Sequence, residues 1–437
     1  MRLLPLAAAL LLLALPAAAQ QGDALDVDAL AGSVEQRVVE WRRDIHQHPE
    51  LGNREVRTSA LVAEHLEALG MEVRTGIAHT GVVGILRGGA GDGPKVALRA
   101  DMDALPVTER TGLDFASTVT TEYRGQQTGV MHACGHDAHT AILMGVAEAL
   151  AGVRDELRGE VMFIFQPAEE GPPEGEEGGA SMMLEQGLFA DFQPEAVLGL
   201  HVIAGIPSDT IATRPGPFMA ASDRFSITVK GRQAHGSRPW SGVDPIVAAA
   251  DIVMTAQTLV SRQAELTRGP VVLTFGAFNG GIRNNIIPDE VELIGTIRTF
   301  EPDMREAVFE GLARVAENVA AAHGATVEHA IPAAAGNPVV RNDEALLARV
   351  KPSLERVAGA GKVIEINPIT GAEDYAEYGK HAPAVFFFVG ATPPDQDMDT
   401  VASNHSPEFD VDEAALPLGT RAMLQAALDL LASGDAE

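Results

Sequence analysis

Hydrophobic and polar positions along the chain follow two alternating patterns. Some apolar runs are short, rich in β-branched or aromatic residues, and bounded by Gly, Pro or charged residues, which is typical of buried strands. Other stretches repeat apolar positions every three or four residues, which is typical of helices. Buried parallel strands are predicted at Val82–Arg87, Val96–Asp101, Val161–Phe165, Ala196–His201 and Ala384–Val389. Strands that alternate with helices indicate an α/β fold with a mostly parallel sheet.

Helix boundaries are indicated by local capping signals. Ser33 and Gln36 form a capping box that predicts a helix ending at about His46, and Gly70 ends a second helix. Residues 20–32 are interpreted as a solvated lead-in to the first helix. Two further helices are predicted at Ala138–Ala151, closed by Gly152, and at Asn342–Ala358.

A different order of elements occupies the interval from about Gly216 to Ile331. The pattern predicts strand Phe225–Lys230, helix Val243–Arg262, strand Val271–Phe278, strand Val291–Thr299, helix Asp303–Ala322 and strand Ala325–Ile331. This β-α-β-β-α-β order is that of a ferredoxin-like split unit. We therefore expect an inserted domain at 216–331, which divides the larger α/β domain into residues 33–215 and 332–432.

The first 19 residues have the pattern of a secretory signal peptide. One Arg precedes an apolar run, and small residues end the segment at Ala17–Ala19. The run is too short for a membrane span, and no later segment approaches the roughly 18 consecutive apolar residues that a span requires. We expect a chain that is exported, periplasmic or secreted, and not held in a membrane.

Composition and charge narrow the possible partners. The formal net charge is −29, from 32 basic and 61 acidic residues. Nucleic acids and anionic membranes both require a basic patch, so neither is expected as a partner. Cys134 is the only cysteine of the 437 residues, which rules out an intrachain disulfide. In an oxidising compartment its thiol must therefore be buried or bound to a ligand.

The segment MHACGHDAHT at 131–140 places this cysteine among three histidines. Cys134 and His136 offer a thiolate and an imidazole two residues apart, a pairing that zinc, manganese, cobalt or nickel accept. His132 and His139 are also available, although their spacing does not mark them as ligands. Two ligands do not make a site, and a buried lone cysteine beside histidines that begin a helix is the alternative.

Further possible ligands follow the predicted strands, where sites form in open α/β sheets. They are Asp101 and Asp103, Glu169 and Glu170, His201, and His405 in a loop after the final strand. Each one alone has an ordinary explanation as a solvated or structural residue. Together with the cysteine segment they indicate a hydrolytic metal centre, which needs histidine, thiolate and carboxylate ligands and one uncoordinated carboxylate.

Several motifs occur in a fixed order along the chain. They are RADMDALP at 99–106, MHACGHDAHT at 131–140, QPAEEG at 166–171, GLH at 199–201, GRQAHGSRP at 231–239, NNIIPD at 284–289, GTIRTF at 295–300, GAEDY at 371–375 and NHSPEF at 404–409. Together they resemble the di-metal amidohydrolases that include hippurate hydrolases, N-acyl-amino-acid amidohydrolases and auxin-conjugate hydrolases. The resemblance implies a catalytic α/β domain, an inserted ferredoxin-like α+β lid that often dimerises, and two divalent ions.

The resemblance also implies a role for individual residues. Cys134 would bridge the two ions, and the remaining metal ligands would be His136, Glu170, His201 and His405. Glu169 would be the general base, Asp103 would orient a ligand, and His235 on the lid would stabilise the oxyanion. Asn285 and Arg298 would bind the substrate carboxylate. The Pro/Glu-rich stretch at 172–177 is longer than the glycine-rich connection usual in the family.

The expected reaction is hydrolysis of an N-acyl amino acid or small peptide by water that the metal ions activate, with manganese, zinc, cobalt or nickel as the ions. An exported dipeptidase or carboxypeptidase of the same superfamily is the nearest alternative. A solute-binding protein without turnover and a thiol hydrolase that uses Cys134 as nucleophile are two others. Measurable turnover would exclude the first of these, and loss of activity on chelation would exclude the second.

Overall fold

The computed structural model describes residues 25–433, and the predicted signal peptide at 1–19 lies outside them. Within this described range, every helix is too short or too polar to cross a membrane. The described chain contains α1 Val27–Gln47, α2 Val56–Ala68, α3 His136–Gly152, α4 Gly179–Glu185, α5 Pro245–Thr258, α6 Pro302–Ala322, α7 Glu344–Ala358 and α8 Ala415–Ala432. A π-helical segment, Leu259–Gln263, continues α5, and a 3-10 segment covers Asp374–Lys380.

The strands are numbered β1 to β18 in chain order. They are β1 Glu72–Ile77, β2 Gly81–Arg87, β3 Lys95–Asp101, β4 Thr120–Tyr123, β5 Gln126–Gly129, β6 Glu160–Gln166, β7 Ala196–Pro207, β8 Ile211–Thr213, β9 Gly216–Met219, β10 Ala221–Lys230, β11 Ala234–His235, β12 Val272–Asn279, β13 Ile286–Ile287, β14 Glu290–Thr299, β15 Thr326–Ala330, β16 Val340–Asn342, β17 Val363–Glu365 and β18 Ala384–Thr392.

Eight of these strands form a central sheet in the order β1-β2-β6-β3-β7-β18-β8-β17. The four middle strands, β6, β3, β7 and β18, run parallel to their neighbours in that group. This confirms the expected α/β class with a large, mainly parallel sheet. Helices α1, α3 and α8 cover one face, while α4 and the 3-10 segment pack on the other.

The prediction that Val82–Arg87 is a parallel strand was wrong. This segment, β2, pairs antiparallel with both β1 and β6. Val82 and Val83 are both fully buried because helices cover both faces of the sheet, so the hydrophobic pattern is that of a parallel strand. The reversal is made by a tight turn in which Ala78 and His79 have positive φ.

The first helix also differs from its prediction. Helix α1 begins at Val27 and is capped by Asp26, whose side chain accepts a backbone hydrogen bond from the first turn. Ser33 lies inside the helix, where its hydroxyl donates to the backbone carbonyl of Leu30 at 2.7 Å. Val27 and Ala31 are buried, so this part of the presumed lead-in packs in the core. A Ser-x-x-Gln spacing can occur within an amphipathic helix, and here it did not mark the helix start.

A second, four-stranded antiparallel sheet has the order β12-β14-β10-β15. Helices α5 and α6 pack on it over a separate hydrophobic core that includes Ile227, Ile252 and Leu312. The order of elements along the chain is the predicted β-α-β-β-α-β order, and we call this unit the lid. Phe218 and Met219, which precede β10, pack with the core of the central sheet. The proposed domain boundaries stay predictions.

Candidate metal centre

The thiol of Cys134 is the point at which three chain segments meet. Its Sγ atom lies 3.3 Å from Nε2 of His201 on β7 and 3.3 Å from Nε2 of His405 in the loop after β18. Cys134 itself immediately precedes α3, in which His136 is the first residue. Gly135 between them has φ +101°, and a Cβ there would collide with Val202, so the turn that presents both side chains requires glycine.

Two groups of possible metal ligands share this thiol. In one group, atoms of Cys134, His136 and His201 lie within 4.8 Å of one another, and in the other, atoms of Cys134, Glu170 and His405 do so. A thiolate common to two ligand groups is the arrangement that a bridging ligand between two cations requires. The structure therefore brings together all five residues that the family resemblance named as metal ligands.

In His201 and His136, one ring nitrogen is engaged by the protein, which leaves the other as a possible metal ligand. His201 donates from Nδ1 to the Val202 carbonyl at 2.7 Å. His136 donates from Nδ1 to Oδ1 of Asp103 at 3.2 Å. Nε2 of His136 is buried and has no hydrogen-bond partner among residues 25–433. An unpartnered buried lone pair of this kind fits a metal ligand whose ring is oriented by a carboxylate.

The surrounding charges favour a cation at this position. Burial acts to lower the pKa of His136, but the charges of Asp101 and Asp103 raise this pKa to about 10. Burial, followed by Glu170 and Glu169, raises the pKa of the Cys134 thiol well above its ordinary value. A nucleophilic cysteine needs a lowered pKa, so this environment disfavours the thiol-hydrolase alternative. A bound divalent cation would stabilise the thiolate, so this ligand set fits a metal.

Asp103 connects a possible ligand with the turn that carries the glutamate pair. Besides His136, its two carboxylate oxygens accept hydrogen bonds from the backbone N–H groups of Glu169 at 3.0 Å and Glu170 at 2.9 Å. Ala168, which precedes the pair, has φ +52°, and its N–H donates to buried Glu55 at 2.9 Å. These contacts fit the orienting role predicted for Asp103. No motif in the sequence had drawn attention to Glu55.

The two glutamates have different surroundings. Burial, followed by the charges of Glu373 and Glu170, raises the pKa of Glu169 well above its ordinary value. For Glu170, burial acts upward, but the hydrogen bond from His405 and the charge of His136 lower its pKa. A carboxyl group that holds a proton readily suits a general acid and base, whereas a carboxylate that stays charged suits a metal ligand.

His139 is not free to bind a metal. Its Nδ1 donates to Oδ1 of Asp101 at 2.6 Å, and its Nε2 accepts from the backbone N–H of Val202 at 2.8 Å. The two ring nitrogens therefore connect Asp101 at the end of β3 with the backbone of β7 beside His201. His132 is also buried, and burial lowers its pKa to about 4, which keeps the ring neutral.

Asn404 holds the loop that carries His405. Its amide donates to the carbonyls of Cys134 at 3.0 Å and Val202 at 3.2 Å, and its Oδ1 accepts from the N–H of Ala204 at 3.0 Å. These bonds hold the adjoining backbone of His405, which has φ +70°. As an ordinary polar loop residue, Asn404 gave no sequence signal of this function beyond its place in the NHSPEF motif.

A cavity of about 420 Å³ opens beside the thiol, and Cys134, Glu169 and Arg298 are among the residues that line it. The side chain of Arg298, on β14, has no hydrogen bond or ion pair within the described chain, and burial lowers its pKa. The Pro/Glu-rich stretch 172–177 is not among the residues that line the cavity, and Glu176 within it forms an ion pair with Arg54.

His235 and Asn285 are neighbours elsewhere on the lid. His235 pairs with Ile286 in the two-stranded antiparallel sheet of β11 and β13, and the N–H of Gly236 donates to the Asn285 carbonyl at 2.8 Å. Both side chains are exposed, and neither belongs to the described lining of the cavity. The structure thus brings Arg298 to the candidate centre but leaves His235 and Asn285 outside it.

Comparisons with known proteins give one consistent family. Residues 97–429 match the model of peptidase family M20/M25/M40. The chain is 38% identical over 395 residues to thermostable carboxypeptidase 1 of Saccharolobus solfataricus, with 89% of this chain and 94% of that protein covered. It is 36% identical over 403 residues to N-acetyl-L-cysteine deacetylase of Bacillus subtilis, with 92% and 90% covered. A solved Bacillus subtilis structure, described as a dinuclear metal binding peptidase from the M20 family, is similar with a TM-score of 0.75 and 35% identity, covering 92% of this chain and 99% of that one.

Proposed function

Because the chain belongs to peptidase family M20/M25/M40, we propose that it hydrolyses the amide bond of N-acyl amino acids at a centre of two divalent cations. The observation that carries this proposal is the pair of ligand groups that share Cys134. The similarity to a deacetylase of N-acetyl-L-cysteine supports the substrate class. The similarity to a solved dinuclear peptidase supports the number of cations.

In this proposal Cys134 would be the ligand common to both cations. His136 and His201 complete one ligand group, and Glu170 and His405 complete the other. Manganese, zinc, cobalt and nickel all accept such a mixed set of thiolate, imidazole and carboxylate ligands. When bound, the cations would polarise the amide carbonyl and make the attacking water more acidic.

Glu169 is the residue that moves protons. Its carboxyl Oε2 lies 3.9 Å from Nε2 of His136, and Glu170 rather than Glu169 contacts His405. It can therefore take the proton of the attacking water and deliver it to the nitrogen of the leaving amine. A positioned group of this kind contributes about 10²–10⁴-fold to the rate.

Arg298 binds the carboxylate of the substrate's amino acid portion. Among the described residues its guanidinium has no ion-pair partner, and it lines the same cavity as Glu169. A half-buried arginine that lacks an anion attracts a carboxylate strongly and can bind it through two parallel hydrogen bonds.

His235 stabilises the oxyanion once movement of the lid brings it to the carbonyl, and Asn285 comes with it. Nδ1 of His235 accepts a hydrogen bond from the backbone N–H of Ser237 at 3.0 Å. In the neutral ring the proton is therefore on Nε2, which is left as a donor for a developing negative charge. This tautomer supports the proposed role.

A homodimer through the lid is part of the proposal. Trp240, Met254 and Ile282 of the lid are 80%, 71% and 97% exposed, respectively. Large apolar side chains exposed to this degree often mark a protein interface. We further propose that the protein is exported, because its first 19 residues have the pattern of a signal peptide. Light scattering of the purified protein and the N-terminal mass of the secreted chain test these two points.

A carboxypeptidase or dipeptidase activity is the second candidate. The observation in its favour is the 38% identity to thermostable carboxypeptidase 1. Both reactions cleave an amide bond whose nitrogen belongs to an amino acid with a free carboxylate, so Arg298 would serve either substrate. Parallel assays of N-acetyl amino acids, dipeptides and N-blocked dipeptides decide between them by the ratio of kcat/KM values.

The test of the proposed function is amine release by chelated enzyme to which manganese, zinc, cobalt or nickel is added back. We expect chelation to abolish the release of amine from N-acyl amino acids and one of these metals to restore it. Activity that persists after complete chelation but is lost on thiol alkylation would contradict the metal proposal. The absence of turnover with every substrate and metal would favour a solute-binding protein.

A further inference from the structure

The polar side chains that line the cavity are of two kinds. Some have hydrogen-bond or ion-pair partners within the described part of the chain, and others have none there. On the side of the central sheet, Asn404 is hydrogen-bonded to Cys134, and Glu373 accepts from Arg99 at 2.8 Å. On the lid side, Ser222, Arg298 and Asn337 also line the cavity. Within residues 25–433, the side chains of these three make no hydrogen bond and no ion pair.

The three unsatisfied residues are neighbours. Ser222 and Arg298 face each other in the β10–β14 register. The N–H of Ser222 donates to the carbonyl of Asn337 at 3.0 Å. Ser222 is near the start of β10, where the chain enters the lid sheet, and Asn337 follows β15, where the chain returns to β16. Ser222 and Asn337 therefore lie on the two segments that join the lid to the central sheet, and Arg298 on β14 completes one polar patch with them.

The rest of the cavity wall has a different character. Ile203, Met219, Ile369 and Phe388 contribute apolar side chains from the central sheet and its adjoining segments. Half-buried polar groups that face a cavity take partners from water or from a ligand. A ligand with both a carboxylate and an apolar part would therefore place the carboxylate at the lid end of the cavity.

We propose that Asn337 is a substrate-binding residue whose side-chain amide donates to the substrate carboxylate beside Arg298, an inference that rests on the proposed hydrolysis of N-acyl amino acids. The Asn337 amide has two N–H donors, and a carboxylate has enough lone pairs to accept from both Asn337 and the Arg298 guanidinium. Ser222, whose backbone pairs with Arg298 on one side and with Asn337 on the other, offers its hydroxyl as a further donor. Asn337 thus helps the enzyme to select substrates with a free carboxylate over the corresponding amides.

The side chain of Asn337 can be changed without removing the contact that joins the two connecting segments, because that contact uses its backbone carbonyl. Asn337→Ala removes the side-chain donor. Asn337→Asp keeps the shape but sets a second negative charge against the substrate carboxylate. Asn318→Ala is the matched control, since Asn318 is exposed on α6 and its amide bonds only to the backbone of Arg314.

The experiment compares N-acetyl-L-methionine with N-acetyl-L-methionine amide as substrates of the metal-loaded enzyme. For the acid, Asn337→Ala should lower kcat/KM by about 10- to 100-fold, mainly through KM, which is the range for a lost hydrogen bond to a charged group. Asn337→Asp should lower it further. For the amide, both variants should change kcat/KM by less than about threefold, since the uncharged group forms the weaker bond. Asn318→Ala should leave kcat/KM unchanged for both substrates.

Two results would overturn the inference alone, while the wild type still cleaves the acid. One is an unchanged kcat/KM for the acid in Asn337→Ala, and the other is an equal loss for acid and amide, which would indicate a structural role. Wild-type enzyme that releases amine from neither substrate would overturn the proposed function and this inference with it. Combining Asn337→Ala with Arg298→Ala should give a loss smaller than the product of the single losses, because both bind one carboxylate.

Discussion

At the scale of single residues, Cys134 is suited to a metal and poorly suited to act alone. It is buried, and nearby carboxylates together with burial hold the pKa of its thiol well above the ordinary range. Two imidazole nitrogens nevertheless lie 3.3 Å from its sulfur. Cations bound beside the thiol would offset the surrounding negative charge and stabilise the thiolate.

Cys134→Ser should lose metal and activity together, because an alcohol does not replace a bridging thiolate at neutral pH. The fold should persist, since the substitution changes one buried atom. Metal content by mass spectrometry and folding by circular dichroism are the measurements. A serine variant that kept two metal ions and full turnover would contradict the bridging role.

The neighbouring glutamates should separate proton transfer from metal binding. Glu169→Gln should keep both metals and lower kcat by at least about 10²-fold, because only the proton carrier is removed. Glu170→Gln should lose metal, since Glu170 belongs to the ligand group with Cys134 and His405. The two variants serve as controls for each other. Equal metal stoichiometry in both would show that this division of roles is wrong.

At the scale of elements, helix α1 ties together the segments that carry the candidate ligands. Arg42 on α1 is buried and donates at 2.9 Å to Asp137 on α3 and at 2.9 Å to Asp410, which follows the His405 loop. His46, one turn further along α1, contacts Asp137 at 2.9 Å and Glu109 at 3.2 Å. The candidate centre therefore depends on a helix that contributes no ligand to it.

The buried charge on His46 should make stability depend on pH. Burial and the charge of Arg42 act to lower the pKa of His46. Asp137 and Glu109 outweigh them and raise this pKa from an ordinary 6.5 to about 9. The ring of His132 lies nearby, and burial keeps that histidine neutral. Since the folded state binds the His46 proton more tightly, the stabilisation is complete below about pH 6.5 and is lost as pH rises through about 9.

In the presence of metal, we expect the free energy of unfolding of the wild type to differ from that of His46→Gln by an amount that depends on pH. The difference in free energy of unfolding should shrink by on the order of 3 kcal/mol between pH 6 and pH 10. Urea titrations at each pH measure it, and His48→Gln, at a half-exposed position two residues along, is the matched control. A difference that stays constant across this range would mean that His46 is not charged in the folded protein.

At the scale of the whole molecule, two sheets with separate cores meet along the cavity. The central sheet supplies the candidate metal ligands, and the lid supplies Arg298 at the cavity and His235 outside it. An acidic protein of net charge −29 can still bind an anion here, because surface charges are screened beyond about 8–10 Å. In the proposed mechanism, movement of the lid relative to the central sheet brings His235 into contact with a bound substrate.

His235→Ala should therefore lower kcat by about 10²–10³-fold, the cost of losing one oxyanion donor. The dissociation constant for substrate should change little, because a group that contacts only the developing oxyanion contributes to the transition state and not to the ground state. Measuring kcat, substrate Kd and metal content separately tests this prediction. A normal kcat with a greatly raised Kd would reassign His235 to substrate binding, and loss of metal would make it a ligand.

Much of the molecule was predictable from local pattern. Short apolar runs and helical spacings predicted the central α/β sheet and the β-α-β-β-α-β order, because the burial of an element determines which of its positions are apolar. The possible metal ligands at Asp101, Asp103, Glu169, Glu170 and His201 could be found because parallel strands end at a common edge of a sheet. The motifs around them led to the correct family.

Only the tertiary structure determined which polar groups are already satisfied. His136 and His139 lie in the same sequence motif. Both ring nitrogens of His139 have hydrogen-bond partners, whereas Nε2 of His136 lacks one among the described residues. Asn404 and Cys134 are 270 positions apart but share a hydrogen bond. The antiparallel direction of β2 likewise depends on its turn and neighbours. Local sequence reports the burial of an element, whereas hydrogen bonding between distant residues exists only after the chain has folded.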